Sequence, residues 1–222
     1  MAPKLYTYKE SGNSYKVRLF ASLLNIELEE VEIDFFNEQH HSEEFLAINP
    51  RGTIPTLVDG DKTFTDSSAI LVYLAGIHSG PGSTKVPSSY WSSDAVEQAQ
   101  IVDWLAFTAS WVQFGVCRAR GVVSFPEFGG GQSTEQILAD AKIRGHKSLV
   151  ILNKKLEKEE WLSLGRPTIA DIAVFVYVAL APMGDISLEP YSAVKSWIAR
   201  VRGLPNFIPI DGLDDPFYRR HR

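Results

Sequence analysis

Apolar positions repeat along this chain at two periods, and the change from one to the other divides it. Leu5 to Tyr8 is a short aromatic strand, and Lys9 to Asn13 is a polar loop with Gly12 at its bend. From Ser14 the residues Val17, Phe20, Leu23 and Leu24 recur at helical spacing, with Asn25 as the expected C-cap. Val31, Ile33 and Phe35 then alternate with Glu32 and Asp34, the two-residue period of a second strand. A strand, a helix and a strand in so short a span predict a right-handed parallel crossover. Glu43 to Ala47 predicts a short second helix. Thr56–Val58 and Thr63–Thr65 are β-rich, and Asp59-Gly60 between them supplies the positive φ of a tight hairpin turn. Asp66 and Ser67 then precede a long apolar run, as capping residues precede a buried helix. The predicted order is β-α-β-α-β-β-α, an α/β domain.

After Leu74 the composition shifts to turn formers, Gly76 to Ser83 and on to Pro87-Ser88-Ser89, which reads as a linker. Beyond it the period is helical throughout. Asp94 to Arg118 carries Ile101, Leu105, Thr108 and Val112 on one stripe, with Trp104, Phe107, Trp111 and Phe114 beside it. Gly129-Gly130-Gly131 breaks the chain, and Ser133-x-x-Gln136 is a capping box that restarts it. Ile137, Ala141, Leu149, Leu152 and Leu156 mark a long amphipathic helix. Thr168-x-x-Asp171 is a second capping box, and Ile172 to Leu180 is apolar on every face, the mark of a helix at the centre of a bundle. Tyr191 to Arg202 is a last amphipathic helix, ended by Gly203-Leu204-Pro205. The expected organisation is an α/β domain over 1–77, a linker over 78–90 and an all-α domain over 91–222.

Composition narrows the setting. A chain of 222 residues, 45% hydrophobic and 22% charged, is long enough for two modest cores. A net charge of −5 argues against nucleic acid as a partner, which calls for a basic face. Cys117 is the only cysteine, so no internal disulfide forms and a reducing, cytoplasmic setting is expected. The N-terminus lacks the apolar core of a signal peptide, and no apolar run reaches the ~20 residues of a membrane span, so no membrane partner is expected.

The hairpin region holds the densest candidate chemistry. Pro55, at the mouth of the first hairpin strand, cannot donate to a sheet ladder, and a cis Ile54–Pro55 bond would turn the Ile54 backbone towards an extended peptide. Asp66, Ser67 and free helix N–H groups converge at one helix start. The run Ile54-Pro55-Thr56-Leu57 followed by Asp66-Ser67-Ser68-Ala69-Ile70-Leu71 resembles the glutathione-binding signature of the soluble glutathione transferases. Gly165-Arg166-Pro167-Thr168-Ile169-Ala170-Asp171-Ile172 resembles that family's C-terminal capping motif. The resemblance implies a thioredoxin-like domain followed by an all-helical one, assembled as a homodimer. It also implies glutathione as co-substrate with no tightly bound cofactor, and a hydrophobic electrophile as its partner. A cis-proline loop at Ile54 and Pro55 would pair with the cysteinyl backbone of glutathione, and Asp66 with Ser67 would hold its γ-glutamyl end. His40 matches the position where several classes hold the glycyl carboxylate.

Such chemistry needs a thiolate. A thiol of pKa about 8.5 must be lowered by roughly 2 units, about 2.7 kcal/mol of preferential stabilisation of the anion. One hydrogen bond to a charged group contributes about 1.5–3 kcal/mol and a nearby helix N-terminus about 0.3–1, so one well-aimed donor suffices. The loop Glu10 to Ser14, running into a helix expected at Tyr15, is the place for it, and Ser11, Asn13 and Ser14 are the candidates, with Tyr8 behind them. Gly12-Asn13-Ser14-Tyr15-Lys16-Val17 is most similar to the Ure2-like class, in which an Asn faces the thiol; Ser11 falls where the zeta class carries a Ser. The opposing reading is that Asn13 or Ser14 merely caps the helix. No cysteine lies in the loop, which argues against the classes that form a mixed disulfide with glutathione.

Tyr8, Trp111, Phe114 and Arg118 are candidates for a second-substrate pocket, though an aromatic stripe at helical spacing also describes a bundle core. His41 reads as a solvated turn, and the His40-His41 pair has no companion at ligand spacing, so no metal site is expected. Cys117 reads as a small buried hydrophobe and Asp171 as the acidic end of a capping box. The expected function is activation of the glutathione thiol for conjugation. Two alternatives stand beside it: a glutathione-dependent disulfide or peroxide reductase of the Ure2-like class, and a non-catalytic binding module of the same fold.

Overall fold

Lys4 to Thr7 forms strand β1 at an interior position of a four-stranded sheet, in the order β2-β1-β3-β4 with β2 at Glu29–Glu32, β3 at Thr56–Asp59 and β4 at Lys62–Phe64. The computed structural model describes residues 2–78, 90–126, 135–215, 217 and 218. β1 runs parallel to β2, from Lys4↔Glu29 to Thr7↔Glu32, and antiparallel to β3, with Leu5 opposite Leu57 and Tyr6 opposite Thr56. β3 and β4 form the predicted hairpin, with Leu57 opposite Phe64. A parallel neighbour requires the chain to return along the sheet, and helix α1 (Gly12–Leu23) does so. Directly opposite residues share a face of the sheet. Leu5 and Leu57 are therefore buried on one side, as are Val17, Leu19 and Phe20 of α1 and Ile70, Leu71 and Leu74 of α3 (Ser67–His78). The short helix α2 occupies Glu43–Ile48, with Ser42 as its cap.

Two expectations shift. The second strand, expected over Val31 to Phe35, ends at Glu32, because it is an edge strand held by its ladder to β1 and not by an apolar face. Ile33, which supplied the alternation, is buried just beyond it, its N–H donating to the Thr7 carbonyl at 2.8 Å. Helix α1 begins at Gly12, not at Ser14 or Tyr15, because Ser11 is its N-cap: the Ser11 hydroxyl oxygen accepts from the Ser14 N–H at 3.2 Å. Its C-cap is Leu24, and Asn25 is the left-handed residue after it, at φ 52°.

Contacts divide the chain into two compact units, Met1–Ser93 with Pro205–Ile210, and Asp94–Leu204 with Asp211–Arg222. Residues 205–210 fall inside the span expected of the second domain yet belong to the first unit. The Tyr15 hydroxyl donates to the Ile208 carbonyl at 2.6 Å, and the Ser22 hydroxyl to the Asn206 carbonyl at 2.8 Å.

The second unit holds α4 (Ala95–Phe107), a wider π-type helical stretch Thr108–Cys117, α5 (Arg118–Ser124), α6 (Glu135–Leu156), α7 (Ile169–Ala179) and α8 (Ser192–Arg202). Ile101, Leu105, Thr108 and Val112 are the buried stripe, as their spacing predicted. The aromatics beside them are not core, for Trp111 is 36% and Phe114 60% exposed. Cys117, expected to be buried, is half-buried. Gly115 departs from helical angles, at φ −104° and ψ −106°. A Cβ there would stand 2.8 Å from the Gly145 nitrogen, so the two helices touch backbone to backbone. Gly129 to Gly131, Ser133 of the expected capping box and linker residues 79–89 lie outside the described residues. Among the described residues no helix is long and apolar enough to cross a membrane.

Every residue of α7 is buried. Its capping box is complete: the Asp171 carboxylate accepts from the Thr168 N–H at 2.9 Å, and also from the Leu162 N–H at 3.1 Å and the Trp197 indole at 2.9 Å. Burial pushes Asp171 up to about 6, against the pull of these donors. Because the folded value lies above the unfolded one, the folded state binds the extra proton between them, and this group's stabilising contribution is lost as pH rises through about 6. Denaturant unfolding of the wild type and of Asp171→Asn, at pH 4.5 and 7.5, tests this. The stability difference should move by about 2 kcal/mol in favour of the wild type at the lower pH.

Candidate functional site

The register of the sheet determines which residues can meet. Thr7 lies beside Glu32, Tyr6 opposite Thr56, and Leu57 opposite Phe64. β1, β2 and β4 therefore end, and β3 begins, at the same end of the sheet. From that end β1 leads through Tyr8 to Ser11 and into α1, and β2 leads to a single 3₁₀ turn, Gln39–His41. The loop carrying Ile54 and Pro55 enters β3 there, and β4 leads through Asp66 into α3. Ser11, Asn13, His40, Ile54, Pro55, Asp66 and Ser67 thus all arise at one end of one sheet.

The loop into β3 is held by a residue the sequence reading passed over. Asn49 is fully buried, and its side-chain amide donates to the Thr53 carbonyl at 2.7 Å and to the Thr56 hydroxyl at 2.9 Å. Its Oδ1 accepts from the Arg51 N–H at 3.0 Å. The run Asn49-Pro50-Arg51-Gly52 is turn chemistry that could have flagged it. Gly52 sits at φ 58°, and a Cβ there would be 3.0 Å from the His40 carbonyl oxygen, so the loop and the His40 turn touch. The Ile54–Pro55 peptide bond is cis, as expected.

Asp66 is the N-cap of α3. Its Oδ1 accepts from the Ser68 N–H at 2.8 Å and its carbonyl from the Ile70 N–H at 2.9 Å. The carboxylate is exposed, so the same side chain that starts the helix still offers Oδ2 to a cation. Ser67 follows as the first, buried residue of the helix.

At the start of α1 the four candidate donors separate. Ser14 is fully buried, and its hydroxyl has no partner among the described residues. Tyr8 is 8% exposed, and its hydroxyl donates to Glu10 Oε2 at 2.8 Å, which commits it within its own loop. Ser11 and Asn13 are half-buried. The Ser11 oxygen serves the cap while its proton stays available. Asn13 is not the cap. Its Oδ1 accepts from Lys16 Nζ at 2.8 Å, leaving the two N–H groups of Nδ2 to donate elsewhere.

His40 stacks on Phe35, ring centroids 4.1 Å apart, and lies 3.9 Å from the His41 ring. Its Nδ1 is buried without a partner among the described residues, which leaves Nε2 as the nitrogen that could reach a ligand. Burial, followed by the like charge of His41, holds its pKa below the usual 6.5, with Glu38 pulling the other way. Burial and the His41 charge both favour the neutral imidazole.

Trp111, Phe114 and Arg118 come together in the second unit, on a groove of about 760 Å³ that also bears Asp140, Arg144 and Lys147 of α6. Tyr8, grouped with them on sequence, belongs to the first unit and does not line that groove.

Comparison with known proteins bears on this arrangement. The profile of the glutathione S-transferase N-terminal domain matches residues 5–82, and that of the C-terminal domain matches residues 104–205. A crystal structure of a possible glutathione S-transferase from Rhodopseudomonas palustris superposes with a TM-score of 0.84 at 31% identity, over 95% of this chain and 90% of that one. The chain belongs to the glutathione S-transferase family. Its first unit has the thioredoxin-like fold of that family and its second the helical one. Among curated relatives, the disulfide-bond oxidoreductase YfcG of Escherichia coli is 26% identical over 205 residues, 89% of each chain. The Ure2 protein of Candida maltosa is 31% identical over 109 residues, 48% of this chain and 32% of that protein. Ure2 proteins are thus among the relatives of this chain, beside the zeta-class glutathione S-transferase of Euphorbia esula, 42% identical over 71 residues, 32% of each chain.

The neutral state of His40 is open to measurement. In an NMR titration its ring resonances should titrate below 6.5. Removing the neighbouring like charge with His41→Gln should raise the midpoint, and Glu38→Gln should lower it.

Proposed function

We propose that this protein is a glutathione transferase that activates the thiol of glutathione for attack on an electrophilic small molecule, with Asn13 as the group that stabilises the thiolate. The observation that carries the reading is the Asn13 amide at the start of α1, with its oxygen engaged by Lys16 and its nitrogen left as a donor, in a chain of this family. Asn13 is neutral at every working pH, so it does not take the proton; its effect is a lowered thiol pKa. Ser11 is the second candidate, through its hydroxyl proton. In this reading Ile54 and Pro55 receive the cysteinyl backbone of glutathione. Asp66 Oδ2 faces the γ-glutamyl ammonium and Ser67 the adjacent carboxylate, and His40 donates to the glycyl carboxylate as a neutral group. Trp111, Phe114 and Arg118 are the candidate contacts of a hydrophobic, aromatic electrophile, by ring stacking and a cation. A homodimer is the expected assembly.

The second reading is glutathione-dependent disulfide reduction, favoured by the likeness to YfcG over most of both chains. Rates with a halogenated aromatic and with a small disulfide, measured side by side, separate the two: conjugation without disulfide turnover supports the first, and the reverse overturns it.

The thiolate assignment is tested by the absorbance of bound glutathione against pH. Asn13→Ala should raise the pKa of the bound thiol by roughly 1–2 units, since a hydrogen bond to a charged acceptor contributes about 1.5–3 kcal/mol, and should leave affinity below the thiol pKa nearly intact. A shift confined to Ser11→Ala transfers the role to Ser11.

A further inference from the structure

Lys16 is an unusual residue to find where it is. It lies on the second turn of α1 and is 2% exposed. Lysine is almost never fully buried unless paired, since removing an ammonium from water costs several kcal/mol. For stability alone an apolar residue of similar volume serves at least as well. A partner that Lys16 does have is the candidate donor itself: Nζ lies 2.8 Å from Asn13 Oδ1. The three-residue spacing places both side chains on one face of the helix.

The chemistry of that pair leaves one orientation. An ammonium has donors and no acceptor, so the atom of Asn13 that meets it is the carbonyl oxygen. The amide is planar, and with its oxygen held its nitrogen must point the other way. A cation on the oxygen also draws charge through the amide and makes its N–H groups stronger donors.

We infer that Lys16 is a positioning residue, which grips Asn13 Oδ1 so that Nδ2 is presented, fixed and polarised, to the thiol of glutathione. The inference rests on the reading of Asn13 given above. Other charged side chains in this region are Glu10, whose carboxylate accepts from Tyr8, Arg18, which donates to the Lys9 carbonyl at 2.7 Å, and Asp66 at the start of α3. Their fields are common to every variant below and cancel in the comparison.

The test is a double-mutant cycle on the pKa of bound glutathione, using Asn13→Ala, Lys16→Met and the pair, with Lys16→Gln as the variant that keeps a neutral N–H donor, one bond shorter than the lysine. Thermal unfolding and glutathione affinity below pH 6.5 establish that each variant is folded. Lys16→Met should raise the thiol pKa by about one unit, most of the Asn13→Ala effect, and should add little once Asn13 is already Ala. Lys16→Gln should recover part of the shift, which a purely structural lysine would not produce. If Asn13→Ala leaves the pKa unmoved, the reading of Asn13 fails and the inference with it. If Asn13→Ala moves it but Lys16→Met does not, or the two shifts simply add, Asn13 stands and Lys16 is not its positioner. Should Lys16→Met fail to fold, Lys16→Gln replaces it in the cycle: a shift that is lost once Asn13 is Ala supports the inference, and no shift, or shifts that simply add, overturn it.

Discussion

Parallel pairing of β1 with β2 is the constraint from which the site follows. Two parallel strands cannot be joined by a tight turn, so the chain must leave the end of β1, run back along the sheet as a helix and re-enter at the start of β2. That obliges α1 to begin at the end of the sheet where β1 stops. The antiparallel hairpin then returns β4 to the same end, so α3 begins there too. Two helix N-termini, each a positive dipole end, come to share that end of the sheet with the loop into β3. A peptide carrying carboxylates and a developing thiolate is the type of ligand such an edge suits. The side chains named here refine a field that the topology already supplies.

The second unit depends on a different device. Asp171 is a buried carboxylate whose partners come from three places: the cap of its own helix at Thr168, the chain at Leu162, and Trp197 on α8. An apolar helix has no means of fixing its own rotation or height among neighbours that are equally apolar, because burial is non-directional. Hydrogen bonds are directional, and a charge that would be costly if left unpaired selects the one arrangement in which all its donors arrive.

The sequence was most legible where local chemistry and tertiary placement agree. The Asp59-Gly60 hairpin, the capping box of α7, the buried stripe of α4 and the cis Ile54–Pro55 bond are each written in a few adjacent residues. It was least legible where the deciding partner is remote or silent. The start of α1 was placed too late because a Ser can cap from Ser11 as well as from Ser14, and only the observed acceptor tells them apart. β2 carries no apolar face, so its extent depends on β1 alone. Trp111 and Phe114 share a spacing with core residues, yet they are exposed where Ile101, Leu105 and Val112 are buried, which spacing alone does not tell. Nothing in a Lys three residues after an Asn distinguishes a solvated side chain from a buried one, so Lys16 could be found only in three dimensions.

The segment Pro205–Ile210 ties Tyr15 and Ser22 of α1 to chain that is made after the whole helical stretch. On the ribosome the sheet and its helices emerge early, but the Tyr15 hydroxyl has no Ile208 carbonyl to meet until the whole stretch from Asp94 to Leu204 has been synthesised. The two hydrogen bonds that hold this segment against α1 therefore form only after the helical stretch has been made. A chain truncated within the helical unit lacks both of these hydrogen bonds, so the sheet unit is completed by residues that lie beyond the other unit in sequence.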